Sequence, residues 1–213
     1  GVWWIQDFSS MMPLFLLDKK NSKKVLDMCA APGGKTIQLI CSKAEVVSYD
    51  KNKNKVSIMK ENLHRLNFNN EVINKDSLKI NSKDKFDMVI IDAPCSSIGT
   101  IRRNPEIFYR HSSPNFQYII PTQYKFLNKA KDLVKNNGII IYMVCSFLSN
   151  EGDNQIERFL SENKNFSLVK YFSKNRDIDE LINEKGFFKT YPINFRNKFL
   201  IDGFFAAQLQ KNA

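Results

Sequence analysis

Long apolar runs are missing. No stretch of the 213-residue chain approaches the roughly 20 apolar residues that a bilayer-spanning helix needs, and the first residues carry no basic segment followed by an apolar one. The expectation is a chain that neither crosses a membrane nor is exported. Cysteine is scarce as well. Cys29, Cys41, Cys95 and Cys145 are too few for a disulfide framework, and no C-x-x-C pair or neighbouring histidine suggests zinc. Free thiols in a reducing cytoplasm, and no metal, are expected. The two histidines, His64 in a helical stretch and His111 in a loop, have no metal-ligand company. A G-x-G-x-x-G string is absent too, which argues against a dinucleotide enzyme. Acidic residues are the last deficit: 22 Asp and Glu against 32 Lys and Arg leave a net charge of +10, which favours a polyanionic partner through long-range attraction and counterion release.

What is present fits a single globular α/β domain over residues 1–213: 43% hydrophobic and 25% charged residues give enough apolar material for a core and exclude a disordered chain. Asp7 is a candidate N-cap for an apolar helix through about Leu17, although Pro13 falls inside it. Strand-like runs follow at Lys24–Met28, Glu45–Tyr49, 71–74, Phe86–Ile91 and Ile139–Val144. Helical periodicity lies between them, at Val56, Met59, Leu63 and Leu66 and again from Phe126 to Val134, where Pro121 can open the helix and Gly138 can follow it. Alternating strands and helices predict a mainly parallel sheet. Residues 171–186 read as a loop or small insertion, and Phe187–Tyr191 with Gly203–Gln210 as an antiparallel hairpin at one side of the sheet. Ligands in such sheets collect outside the carboxyl ends of the strands, where Asp27, Asp50, Asp76, Asp92 and Cys145 fall.

The string D-M-C-A-A-P-G-G-K-T, residues 27–36, joins a strand to a helix. Two adjacent glycines let backbone approach a ligand, and a helix start offers free N–H groups to a carboxylate. A phosphate loop would need glycine where Cys29 stands. Asp50 ends the second strand, where a carboxylate can accept from both ribose hydroxyls of an adenosyl group, and Asp76, just past the third, can border the adenine. A glycine turn and two acids at sequential strand ends fit a pocket for S-adenosylmethionine. The fourth strand runs into D-A-P-C-S-S-I-G, residues 92–99, and the fifth into Cys145–Ser146, so two sulfurs are expected at one cleft.

These strings, with I-R-R-N-P-E-I, V-C-S-F-L-S-N-E-G, Q-D-F-S-S near the start and D-G-F-F-A-A near the end, resemble the Sun/Fmu-type RNA cytosine-5 methyltransferases, most closely their bacterial 16S ribosomal RNA branch. The resemblance spans nearly the whole chain. It implies a Rossmann-like methyltransferase fold with a mainly parallel seven-stranded sheet and an antiparallel C-terminal hairpin. It also implies S-adenosylmethionine held by Cys29, Ala30, Ala31, Pro32, Gly33, Gly34 and Lys35 and by Asp50, Asp76 and Asp92, and a nucleophile at Cys145. Members of that family often carry an additional N-terminal RNA-binding domain, which this chain is expected to lack.

The chemistry agrees. Carbon 5 of cytosine is a poor nucleophile until a thiolate adds to carbon 6; a free cysteine is only a few per cent ionised at neutral pH, but its sulfur is strongly nucleophilic and a basic cleft raises the ionised fraction. Asp92 is a candidate for holding a proton at N3, and Cys95, fixed by Pro94, for assisting release. Pro94–Cys95 also offers the dipeptide that DNA cytosine-5 methyltransferases use, but the longer strings favour Cys145. Val144 departs from the Thr usual in the family. RNA contacts are expected from Arg102, Arg103 and Lys35, with Phe108 and Tyr109 more naturally in core packing than in stacking on a base. The expected partner is RNA, ribosomal in the first place, met by a monomer. A non-catalytic RNA-binding or assembly factor, methylation of tRNA and a small-molecule methyltransferase are the rival readings.

Overall fold

The structure is a computed structural model that describes residues 2–17, 24–81, 83–109, 112–195 and 198–213. His111 lies outside them. Helix α1 is Phe8–Phe15, and the Asp7 carboxylate accepts from the Ser9 N–H at 2.9 Å to start it, as the sequence predicts. Strand β1 (Lys24–Asp27), α2 (Gly34–Cys41), β2 (Glu45–Tyr49), α3 (Lys53–Arg65) and β3 (Glu71–Ile73) follow as two β-α units and a third strand. On α3 the residues at helical spacing, Val56, Met59 and Leu63, are the buried ones, and His64 is exposed.

Strand β4 (Phe86–Asp92) leads through two 3-10 turns to α4 (Phe116–Leu133) and β5 (Val134–Val144). Here the boundaries differ from the sequence reading. Asn115 caps α4, accepting from the Tyr118 N–H at 3.1 Å, so the helix begins five residues before Pro121, which sits inside it. Gly138 does not follow the helix but lies within β5, where the register against β4 jumps from Phe86↔Val134 to Met88↔Ile139. Past β5 come α5 (Asp153–Glu162), β6 (Phe166–Val169), the short α6 (Arg176–Asp179), β7 (Phe188–Thr190), β8 (Ile193–Phe195), β9 (Phe199–Ile201) and β10 (Phe204–Lys211).

The main sheet runs in the order β3-β2-β1-β4-β5-β10-β6, with β7 also paired to β10. Its first five strands are parallel, and β10 is antiparallel to β5, β6 and β7. The expected pairing of 187–191 with 203–210 is present. Its place is not an edge, however: β10 is interior, lined by β5 on one side and by β7 and β6 on the other, and the separate β8–β9 hairpin interrupts the connection. Burial explains the position. Phe204 to Leu209 are all buried, the continuous pattern of a strand covered on both faces. Neighbouring residues feed opposite cores. Phe205, Ala207 and Leu209 pack with Tyr142, Val144 and the apolar faces of α4 and α5, whereas Phe204 and Ala206 pack with Met143, Met12 and Leu14. Val144 is fully buried and opposite Phe205, so its methyl groups fill core space. Strand order reverses between β1 and β4, and the carboxyl ends of β1, β4 and β5 lie side by side.

Candidate active site

The 27–36 turn is built around one left-handed residue. Gly33 has φ of +107°, and a Cβ there would come within 2.9 Å of Met59 Cγ, so only glycine lets the chain turn into α2 while packed on α3. Gly33 thus shapes the turn from behind. Asp27 beneath it is fully buried; its Oδ2 accepts from Thr36 Oγ1 at 2.7 Å, while Oδ1 has no hydrogen-bond partner. Burial, with a smaller push from Asp92, raises its carboxyl to about 7, against the pull of Thr36 and Lys35. Burial also pushes the Cys29 thiol up, and the carboxylates of Asp27, Asp92 and Asp50 add to it, which makes that sulfur a poor nucleophile. Asp50 is half-used by backbone: its carboxylate accepts from Ala31 N–H at 3.2 Å and Asn52 N–H at 2.8 Å. Asp76 caps the turn at Ser77–Lys79 through Leu78 N–H.

Two thiols meet where β4 and β5 end. The Cys95 and Cys145 sulfurs are 3.3 Å apart, both half-buried. The loops are tied together by Ala93 N–H donating to Met143 O at 2.9 Å and Gly99 N–H donating to Cys145 O at 3.0 Å. The hydrogen bond from Cys95 pulls the Cys145 thiol down; Ser97 and Lys35 help, against burial and Asp92. The same contact pushes Cys95 up, together with burial and the nearby Glu151 carboxylate. Cys145 is therefore the sulfur that ionises and Cys95 the one that keeps its proton. Cys145 as a thiol donates to Ser97 Oγ at 3.5 Å, and a rotated hydroxyl donates to the thiolate.

Glu151, which the sequence reading left without a role, braces the Cys95 loop from inside. It is fully buried and accepts from Ser96 N–H at 2.8 Å, Ser96 Oγ at 2.5 Å and Gln123 Nε2 at 3.1 Å. Gln123 also donates to Pro94 O at 3.1 Å and is itself held by Gln155. A carboxylate inside a polar S-N-E-G-D string gives no sign in sequence that it is buried.

Two cavities share this wall. One, of about 480 Å³, is lined by Cys29, Ala31, Pro32, Asp50, Asp76, Asp92, Cys95 and Cys145, joined by Asn52, Lys55, Ser77, Ser97 and Phe126, which the sequence did not single out. The other, of about 300 Å³, has Cys29, Ala30, Ala31, Pro32, Gly34, Asp92 and Cys145 in common with the sequence candidates, adds Asp7, Asp27 and Phe204, and brings in Lys35 and Arg103. Lys35 is buried, donates to Asp92 at 2.7 Å and sits 5.2 Å from the centre of the Phe204 ring. Arg102 lines neither cavity. Its guanidinium is engaged by Asp202 and Asp7, both at 3.0 Å, and Arg103 gives its Nε to Asp202 at 2.7 Å. Phe108 and Tyr109 are not core residues: they are 71% and 83% exposed, on a turn anchored by buried Ile107. Among the described residues no group of three or more His, Cys, Asp or Glu can hold a metal ion, and no helix is long and apolar enough to cross a membrane.

Residues 14–210 match the family model described as 16S rRNA methyltransferase RsmB/F. The chain belongs to this family. Ribosomal RNA small subunit methyltransferase B of Photorhabdus laumondii is 34% identical over 170 residues, 78% of this chain and 40% of that protein. The probable ribosomal RNA small subunit methyltransferase B of Bacillus subtilis is 34% identical over 171 residues, 76% of this chain and 38% of that protein. The chain thus spans about two fifths of the length of the curated relatives it matches. Among solved structures, PH0851 superposes with a TM-score of 0.85 at 30% identity over 98% of this chain and 47% of its own. A methyltransferase homologue from Pyrococcus horikoshii gives 0.75 at 29% over 98% and 68%. The Rossmann-like methyltransferase architecture expected from the sequence is the fold observed.

Proposed function

We propose that this chain is the catalytic domain of an RNA cytosine-5 methyltransferase that takes its methyl group from S-adenosylmethionine and acts on small-subunit ribosomal RNA through a covalent bond between Cys145 and carbon 6 of the target cytosine. The observation that carries the reading is the pair of sulfurs in contact at a wall shared by two cavities, one with Asp50 and Asp76 and one with Asp27, Lys35 and Arg103, both bordered by Asp92.

The residues fit the cofactor. The larger cavity falls within the roughly 300–1,000 Å³ of small-molecule sites. Its carboxylates, Asp50 and Asp76, suit ribose hydroxyls and an adenine amino group, and the orphaned Oδ1 of buried Asp27 beside the Cys29–Lys35 turn suits an ammonium group. When bound, S-adenosylmethionine supplies an electrophilic methyl group. The protein's own residues do the rest. Cys145 adds to carbon 6, pushing electron density to carbon 5. The Lys35–Asp92 pair presents the two N–H donors that Lys35 does not spend on Asp92 beside a carboxylate, which suits a ring whose N3 accepts and whose exocyclic amine donates. Because Asp92 accepts from Lys35, the ammonium is placed to donate a hydrogen bond at N3 and the carboxylate to accept one from the exocyclic amine. Once the methyl group is in place, Cys95 gives its proton to the departing Cys145 sulfur as the carbon–sulfur bond breaks, and the Cys95 thiolate so formed takes the proton that leaves carbon 5. Arg103 keeps its terminal nitrogens for an RNA phosphate.

Labelled S-adenosylmethionine and small-subunit ribosomal RNA test this with wild type, Cys145→Ala and Cys95→Ala. Methylcytosine with wild type, neither product nor denaturant-resistant adduct with Cys145→Ala, and accumulated adduct with Cys95→Ala are expected. Normal turnover by Cys145→Ala sinks the reading.

A further inference from the structure

The two sulfurs are placed for a second chemistry. At 3.3 Å they are only about 1.2 Å farther apart than a bonded pair. The backbone bonds at Ala93 and Gly99 already hold their loops together, so the step from contact to a bond is short. Both line the open cavity of about 480 Å³, which admits a small oxidant. The other two cysteines differ. Cys29 belongs to the turn after β1, where its sulfur ionises poorly, and Cys41 is exposed at the end of α2.

We propose that Cys95 and Cys145 form an oxidation site for hydroperoxides, closing to a reversible disulfide that switches off methyl transfer. The Cys145 thiolate attacks one peroxide oxygen; the S–O bond forms as the O–O bond breaks, and hydroxide leaves from hydrogen peroxide. The Cys95 sulfur then attacks the Cys145 sulfenic acid. The S–S bond forms, the S–O bond breaks, and water leaves with the Cys95 proton. Two sulfurs together lose two electrons and the peroxide gains them. The product has neither nucleophile nor proton donor, and it is sheltered from irreversible over-oxidation because the sulfenic acid is consumed by a neighbour in contact. A dithiol reductant restores both groups. The oxidation and its reversal concern sulfur chemistry alone, and only the loss of methyl transfer rests on the proposed function.

The test uses the wild-type chain, with exposed Cys41 as internal reference. Brief exposure to hydrogen peroxide, blocking of free thiols and peptide mass mapping are expected to show a Cys95–Cys145 link that forms at least about tenfold faster than any change at Cys41. Dithiothreitol is expected to reverse it fully. With Cys95→Ser, a dimedone adduct on Cys145 followed by sulfinic acid is expected. Sulfinic acid on Cys145 in the wild type while Cys95 remains alkylatable overturns the proposal, as does oxidation of Cys41 and Cys145 at equal rates. Because the readout is a peptide map, a linked pair in a chain that methylates no RNA counts against the proposed function alone.

Discussion

The loops that follow β4 and β5 each bring a half-buried cysteine and then a serine into the same cleft, yet they surround the sulfur differently. Cys95 sits on a segment clamped to the buried carboxylate of Glu151, and Cys145 faces the Lys35 ammonium and the Ser97 hydroxyl. The contact between the two sulfurs, helped by the Glu151 carboxylate behind Cys95 and by the Ser97 hydroxyl and Lys35 ammonium before Cys145, sets where a single shared proton rests, against burial and the Asp92 carboxylate at Cys145. The division of labour between two chemically identical groups is therefore written in their neighbours, and changing a neighbour should blur it.

The largest expected effect comes from removing one member. Cys145→Ala should lower methyl transfer by at least about 10⁴-fold, whereas Cys95→Ala should leave adduct formation intact and slow release by roughly 10²-fold, measured as adduct and product in single-turnover assays. Equal behaviour of the two variants would erase the contrast between the loops.

A reference for both loops is Asp27 after β1, whose carboxyl is raised to about 7 from 3.8 by burial. Between those values the folded chain holds a proton that the unfolded chain has released, so stability of the free protein should fall by a few kcal/mol as pH rises from about 4 to 7. Urea melts across that range should show the decline, and Asp27→Asn should flatten it. Next, Glu151→Ala removes the carboxylate that accepts from Ser96 N–H, Ser96 Oγ and Gln123 Nε2 and should cost about 3 kcal/mol in denaturant melts. Glu151→Gln should cost less and still sharpen the comparison, because without the negative charge Cys95 should titrate lower, read as the pH profile of its alkylation. The smallest effect belongs to the cleft rim: Arg103→Ala should reduce the salt dependence of RNA binding by about one counterion, and an unchanged slope removes it from the interface.

Much of this was legible in the chain. Strand β4 and the second half of β5, which lead to Asp92 and Cys145, are almost wholly buried, and burial on both faces leaves an apolar run that sequence displays directly. Helix α5 was missed because among its apolar residues only Ile156 and Phe159 are buried, too few for a periodic stripe, and β6 because four residues carry little pattern. The engagement of Arg102 and Arg103 was invisible since Asp202 lies about a hundred residues away in the chain. Phe108 and Tyr109 show the opposite failure: aromatic character suggests a core, and only the anchoring of Ile107 reveals that its two neighbours face outward. The interior place of β10 likewise depends on β5 and β6, partners distant in sequence.

Where the segment after Cys95 passes the turn before β10, Gly99 and Gly203 touch backbone to backbone. Gly203 N–H donates to Gly99 O at 2.8 Å, and a methyl group on Gly99 would fall 1.9 Å from Gly203 O and 2.9 Å from Cys145 O. The mouth of the cleft is dimensioned by a pair of hydrogen atoms. Any bulkier residue at either position would act as a shim, prying the thiol loops away from the strand that anchors them without altering a single reactive group.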